Sequence, residues 1–152
     1  MNALRKCLAL PLLVLALHQG QAVAGDNLTP KEVTSTFYGW YVDQYLADHT
    51  PVEDNAPDLM RYVSEKALGN LTALMQRPQG QTEDYFLKSN DNGESWKGNV
   101  TVTEQSATDT TAFEKVVVGL NYLDKKEVQV ALEKEVDGWR IVAVTDLQAS
   151  AD

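Results

Sequence analysis

The feature that most constrains this chain is a cluster of aromatic side chains early in the sequence. Phe37, Tyr38, Trp40, Tyr41 and Tyr45 fall within nine residues. Thr29-Pro30-Lys31-Glu32 stands ahead of them. That tetrapeptide is a helix start: threonine at the N-cap, proline at the first helical position and glutamate three residues after the cap. The helix is predicted to run to about Asp48, before the breaker stretch His49-Thr50-Pro51. At 100° per residue, Val33 and the five aromatics cover an arc of roughly 160°. Val42 and Leu46 widen it, leaving mainly Thr36, Gly39 and Asp43 for solvent. An apolar face this broad needs a groove to lie in, and a strongly curved sheet is the expected way to supply one.

The pattern after this helix tells which elements supply the groove. Pro57-Asp58 opens a second helical segment, with Met60, Val63, Ala67, Leu71 and Leu74 at spacings of three and four. Gly69-Asn70 interrupts it, so two short helices are expected, ending at Arg77-Pro78-Gln79-Gly80. Beyond Gly80 the period falls to two. Tyr85–Lys88 is a short strand candidate, Asn92-Gly93 marks a turn, and residues 99–104 read as a strand with one wet face. Phe113–Leu120 reads as a central strand buried on both faces, and Val128, Val130 and Leu132 alternate with polar residues as a half-exposed strand. Asp137-Gly138 predicts a two-residue hairpin into a last strand over Trp139–Val144. Helices followed by an antiparallel meander give an α+β fold.

Met1–Ala24 reads as a secretory signal peptide. Arg5 and Lys6 form the basic start, Leu8–Leu17 the apolar core, and Ala22-Val23-Ala24 the cleavage site. The core is too short to span a bilayer, which takes roughly 20 apolar residues, so no transmembrane segment is expected in the mature chain. Residues 25–152 are expected to form one exported domain, periplasmic or secreted. Cys7, the single cysteine, lies before the apolar core, and Gly25 or Asp26 stands where a lipid-anchored protein would need cysteine. Processing therefore leaves a domain without cysteine that must be held by packing alone. It also removes two basic residues and no acid, so 22 acids face 11 bases, a net charge of −11. Such a field repels nucleic acid and anionic lipid and speeds encounter with basic partners.

Most site chemistry fails for want of residues. The mature chain has no thiolate for catalysis, redox or zinc. Its one histidine, His49, sits in a proline-flanked loop, and no Gly-x-Ser-x-Gly elbow or glycine-rich phosphate loop exists. Ser89-Asn90-Asp91-Asn92-Gly93-Glu94 imitates a calcium loop. With Gly93 at the sixth position, however, Lys88 and Asn99 occupy the first and twelfth, where acids are needed. No metal and no cofactor is expected. Phe37 and Trp40 are expected in the core. Tyr38, Tyr41 and Tyr45 are the ligand-pocket candidates, because buried phenols need partners and converging ones can line a polar pocket. Trp96 and Trp139 complete that set.

Phe37-Tyr38-Gly39-Trp40-Tyr41, Tyr62-Val63-Ser64 and Asp137-Gly138-Trp139-Arg140-Ile141 resemble a bacterial family of small exported or lipid-anchored domains of unknown function. That family is similar to the nuclear transport factor 2-like superfamily, and the resemblance covers roughly residues 30–147. It implies a cystatin-like α+β cone with N-terminal helices on a curved antiparallel sheet, a pocket at the cone mouth, and dimerisation through the open sheet face. It implies no activity. Cone enzymes of that superfamily use a carboxylate with tyrosine or another acid in an apolar pocket, an arrangement open here to Tyr41, Tyr45 and an acid such as Asp84.

The leading expectation is a non-enzymatic periplasmic binding module engaging another protein, in its sharpest form an inhibitor or immunity protein for a basic envelope-acting hydrolase or toxin. The alternative is a carrier or sensor of a small apolar molecule. A homodimer is compatible with either, and a cone-fold enzyme stands third.

Overall fold

The structure, a computed structural model, describes residues 28–54, 57–77 and 83–149. The expected signal peptide and the last three residues lie outside the described residues. Two helices, a 3-10 turn and four strands follow in the order α1 (Pro30–Leu46), the turn Leu59–Arg61, α2 (Glu65–Met75), β1 (Val100–Ala107), β2 (Thr111–Val118), β3 (Lys126–Glu135) and β4 (Gly138–Asp146). The strands form one antiparallel sheet in the order β1-β2-β3-β4, a meander with the helices packed on it. The α+β organisation read from the sequence is therefore present.

Helix α1 starts as its sequence dictates. Thr29 accepts from the Glu32 amide at 3.3 Å, and Glu32 returns the bond to the Thr29 amide at 2.8 Å. It ends where the amides of Ala47, Asp48 and His49 fold back onto the carbonyls of Gln44 and Tyr45. Its buried stripe is Val33, Thr34, Phe37, Tyr38, Tyr41 and Val42, which lies against β1, β2 and β4. Trp40, expected in the core, sits at the edge of the stripe, half-buried and stacked on Tyr62 at 6.1 Å.

The second helical region differs from expectation. The break falls before Ser64, not at Gly69-Asn70, and α2 runs through both residues. Ser64 caps it by accepting from the Ala67 amide at 3.1 Å. Gly69 faces open space, so nothing there forces the helix to stop. Ahead of the cap the chain is extended: the Ile141 amide donates to the Tyr62 carbonyl at 2.8 Å, and the Ser64 amide donates to the Ile141 carbonyl at 3.0 Å. This short parallel contact covers the outer edge of β4, opposite the bulge that leaves Val142 unpaired.

Two strand expectations also need correction. Tyr85–Lys88 is a turn, not a strand. The Asp84 carboxylate accepts from the Phe86 and Leu87 amides at 2.9 and 2.8 Å, and the Lys88 amide closes onto the Asp84 carbonyl at 2.8 Å. Phe86 and Leu87 are buried from within this turn. Strand β2 is central as expected but buried on one face only: Ala112, Glu114, Val116 and Val118 point inward, whereas Phe113 is 40% exposed. The valine run hid a period-two pattern whose inward set includes a glutamate. The hairpin after β3 has Val136-Asp137 as its two loop residues, one position earlier than predicted, with Gly138 at φ 120° opening β4.

Candidate functional site

Two features of different character lie on either side of the segment 89–96. The first is a cleft of about 270 Å³ at the C-terminal end of α1. Tyr41 and Tyr45 reach it one helical turn apart. Leu71 and Met75 of α2 give it apolar wall, and Asp84 and Tyr85 come from the turn. The Tyr41 hydroxyl donates to Asp84 Oδ2 at 2.6 Å, while Asp84 Oδ1 takes the two amides of its own turn. Burial pushes the Asp84 carboxyl above its ordinary range, and those three donors pull it back. Burial first, then the Asp84 charge, raises the phenols of Tyr41 and Tyr45. Both are therefore neutral donors at physiological pH. Asp84, with three acceptor sites filled, has little capacity left to take a proton from a substrate.

The structure thus brings together Tyr41, Tyr45 and Asp84 of the residues singled out in the sequence. It does not bring the other three into the cleft. Tyr38 is buried behind the wall, its hydroxyl donating to the Phe86 carbonyl at 2.9 Å, and burial raises its phenol most. Trp96 is buried, with its ring 6.1 Å from that of Tyr45. Trp139 lies at the start of β4, at the opposite end of the sheet from the β2–β3 connection. Glu53 and Glu83 stand on the cleft rim. Aromatic faces with acids around them suit a cationic side chain or amine better than a purely apolar molecule.

The second feature is the β2–β3 connection, and sequence reasoning missed it. Leu120, Tyr122 and Leu123 are 70%, 90% and 96% exposed. Their backbone is nevertheless tied down. Ser95 Oγ accepts from the Leu120 amide at 2.7 Å and donates to Asp124 Oδ1 at 2.8 Å. The Ser95 amide donates to Asp124 Oδ2 at 3.0 Å, the bond that most holds this carboxyl below its ordinary range. The Trp96 indole N–H donates to the Asp124 carbonyl at 2.7 Å. Within the loop the Lys125 amide donates to the Asn121 carbonyl at 2.8 Å, and at its start the Gly119 amide donates to the Asn99 carbonyl at 2.8 Å.

Two glycines make room for the indole. A Cβ on Gly93 would overlap the Trp96 ring, and one on Gly119 would come within 2.8 Å of Cδ1 at a φ of 88°. Trp96 therefore joins the two features, touching Tyr45 on one side and the base of the loop on the other. The available sequence signal was an apolar Tyr122-Leu123 pair between strands. Its partner Ser95 is too distant in sequence to be paired with Asp124 by inspection.

Among the described residues, no helix is long and apolar enough to cross a membrane, and no group of three or more histidine, cysteine or acidic side chains converges to hold a metal ion. No protein-family model matches the chain, and no curated protein matches it. Solved structures do share the fold. A chain of the type VI native effector-immunity complex Tae3-Tai3 from Ralstonia pickettii superposes with a TM-score of 0.69 at 24% identity, over 80% of this chain and 97% of that one. A chain of the selenomethionine form of that complex gives a TM-score of 0.62 at 27% identity, over 78% and 97%.

Proposed function

We propose that this chain is an exported, non-enzymatic protein-binding module of the immunity type, which captures and neutralises a basic effector acting in the cell envelope. The observation that carries the reading is the shared fold with chains of an effector-immunity complex, both of which it covers almost end to end. The immunity side of such a pair is favoured over the effector side by the residues themselves. The mature chain holds no thiol, its one histidine is exposed in a loop, and the best-placed carboxylate, Asp84, already accepts from three donors. The net charge of −11 after processing steers encounter with a basic partner. Periplasmic delivery by the signal peptide, a cone-like wrap of the sheet around α1, and dimerisation through the outer sheet face belong to the same proposal as its expected cellular and architectural setting.

A second reading keeps the cleft as a small-ligand site. Its support is the Tyr41–Tyr45 wall, but the acids on the rim move the expected ligand from an apolar molecule to an amphipathic cation. In the leading reading the same cleft receives a lysine or arginine of the effector.

The test is protection. Cells lacking this chain, challenged by type VI-armed siblings, are expected to die, to be rescued by a copy that carries residues 1–24, and not to be rescued by a copy that lacks them. A deletion strain that survives as well as its parent overturns the reading.

A further inference from the structure

The apolar side chains of the β2–β3 connection have no role in the fold. Leu120, Tyr122 and Leu123 touch solvent over most of their surface, whereas the next most exposed of the described leucines, Leu147, is 38% exposed. Exposed leucines one at a time need no explanation, but three apolar residues within four positions of one loop do. The loop also differs from an ordinary surface connection in being held: Ser95, Trp96, Asn99 and Asp124 fix its base, and Gln148 ties the Lys125 carbonyl at 3.2 Å. A side chain presented on a fixed backbone loses little freedom on binding, which is what an affinity anchor requires. Tyrosine is enriched among such anchors, since it adds a large contact area to a polar tip; the leucines beside it, a residue less common in that role, add apolar area.

We infer that Leu120, Tyr122 and Leu123 form a preorganised apolar anchor that inserts into a concave, apolar-floored cleft of the effector protein. This inference rests on the protein-binding reading above and names the surface that would carry it. The loop is a turn projecting from the end of the sheet, so its receiver is concave. A second copy of the chain would offer another convex loop, not a concave receiver. The charges beside the loop balance, Asp124 and Glu127 standing with Lys125 and Lys126 and Glu127 pairing with Lys115 at 2.6 Å and Lys125 at 2.7 Å, so nothing there draws an anionic lipid surface and the vesicle arm of the test covers that occupant. The cleft at Tyr41 and Tyr45 lies across Trp96 from the loop.

The test uses the full chain in its own cells. A photo-crosslinking benzoyl-phenylalanine replaces Tyr122, with a control at Val136, which is fully exposed at the other end of the sheet. In parallel, Leu120→Ser, Tyr122→Ser and Leu123→Ser are combined in one variant and scored for protection. Its fold is checked by urea unfolding and by the emission of buried Trp96. The inference expects an adduct with a different protein at position 122 and not at 136, and a folded, exported triple variant that protects no better than the deletion strain.

An adduct of twice the chain mass, a lipid adduct, or no adduct at 122 overturns the anchor. So does sedimentation of the wild type, but not the triple variant, with vesicles of phosphatidylethanolamine and phosphatidylglycerol. Full protection by the triple variant overturns it while leaving the immunity reading in place. If the wild-type copy itself fails to protect, the immunity reading falls, and the crosslink at 122 still decides the anchor.

Discussion

The wall of aromatics along α1 and the clamp around Trp96 both bury large rings, but they do so by different means. Around α1, Phe37 packs within 5.0 to 5.8 Å of Tyr38, Tyr41, Tyr62 and Phe86, and most of the ordering comes from apolar contact. Around Trp96 the ring is seated by two glycines and an acceptor carbonyl, and the surrounding order comes from the hydrogen bonds of Ser95 and Asp124. The first region makes the domain fold. The second makes an exposed loop rigid. A protein that must present apolar side chains to water without collapsing around them needs the second kind of support.

The largest separation between the regions is expected from truncation in the first. Phe37→Ala should cost about 3–5 kcal/mol. In urea unfolding every probe should weaken together, because this residue joins α1, the Tyr62 segment and the Asp84 turn. Gly93→Ala comes next. The added methyl displaces the Trp96 indole, with an expected cost of about 1–3 kcal/mol. Trp96 emission and amide exchange at Leu120–Lys125 should change while the α1 amides stay protected. Equal loss of protection in both regions would show that the clamp is part of one cooperative core and erase the distinction.

Tyr41→Phe probes where the two regions meet. It removes the donor on Asp84 Oδ2 and should cost about 1.5 kcal/mol. The bond favours the ionised carboxylate, so its loss raises the Asp84 pKa further. The variant's deficit should therefore be small at acid pH and grow as pH rises through the folded-state value. A deficit that shrinks with rising pH would show that Tyr41 does not act through the charge.

The smallest effect has the opposite sign. Glu114, on the inner face of β2, is fully covered, and within the described residues neither carboxylate oxygen accepts a hydrogen bond. Burial, and then the charge of Glu104, push its pKa up, with Lys31 opposing. A carboxyl raised in the folded state loses stability as pH climbs from its unfolded value through its folded one. Glu114→Gln should match the wild type near pH 4 and exceed it by roughly 1 kcal/mol at pH 8. Identical stability at both pH values would mean that Glu114 is solvated or paired in solution.

Much of this was legible in advance where a single local rule applied. The Thr29–Glu32 capping box, the α1 stripe and the alternation in β3 each depend on neighbours three, four or two residues away. Misreadings occurred where two local signals competed. Gly69-Asn70 was read as the boundary, but the helix starts at the Ser64 cap, because the segment before it pairs with β4. In β2 the hydrophobicity of Val116, Val117 and Val118 hid the fact that Phe113 faces out and Glu114 in. Of the aromatic site candidates, Tyr41 and Tyr45 reach the cleft, while Tyr38, Trp96 and Trp139 lie outside it. Their positions depend on which end of the sheet each element reaches.

The sequence by itself determined the composition of the problem: an acidic chain with Cys7 as its single cysteine, an aromatic helix with a defined start, and a meander to cover it. These follow from charge counting and from periodicities that the backbone imposes within a few residues. Only the tertiary structure decided that Asp84 meets Tyr41, that Trp96 sits between Gly93 and Gly119, and that Ser95 holds the loop carrying Leu120, Tyr122 and Leu123. Apart from Gly93, three residues before Trp96, these contacts join residues 23 to 43 positions apart, where local periodicity has no bearing and only tertiary packing fixes the distance.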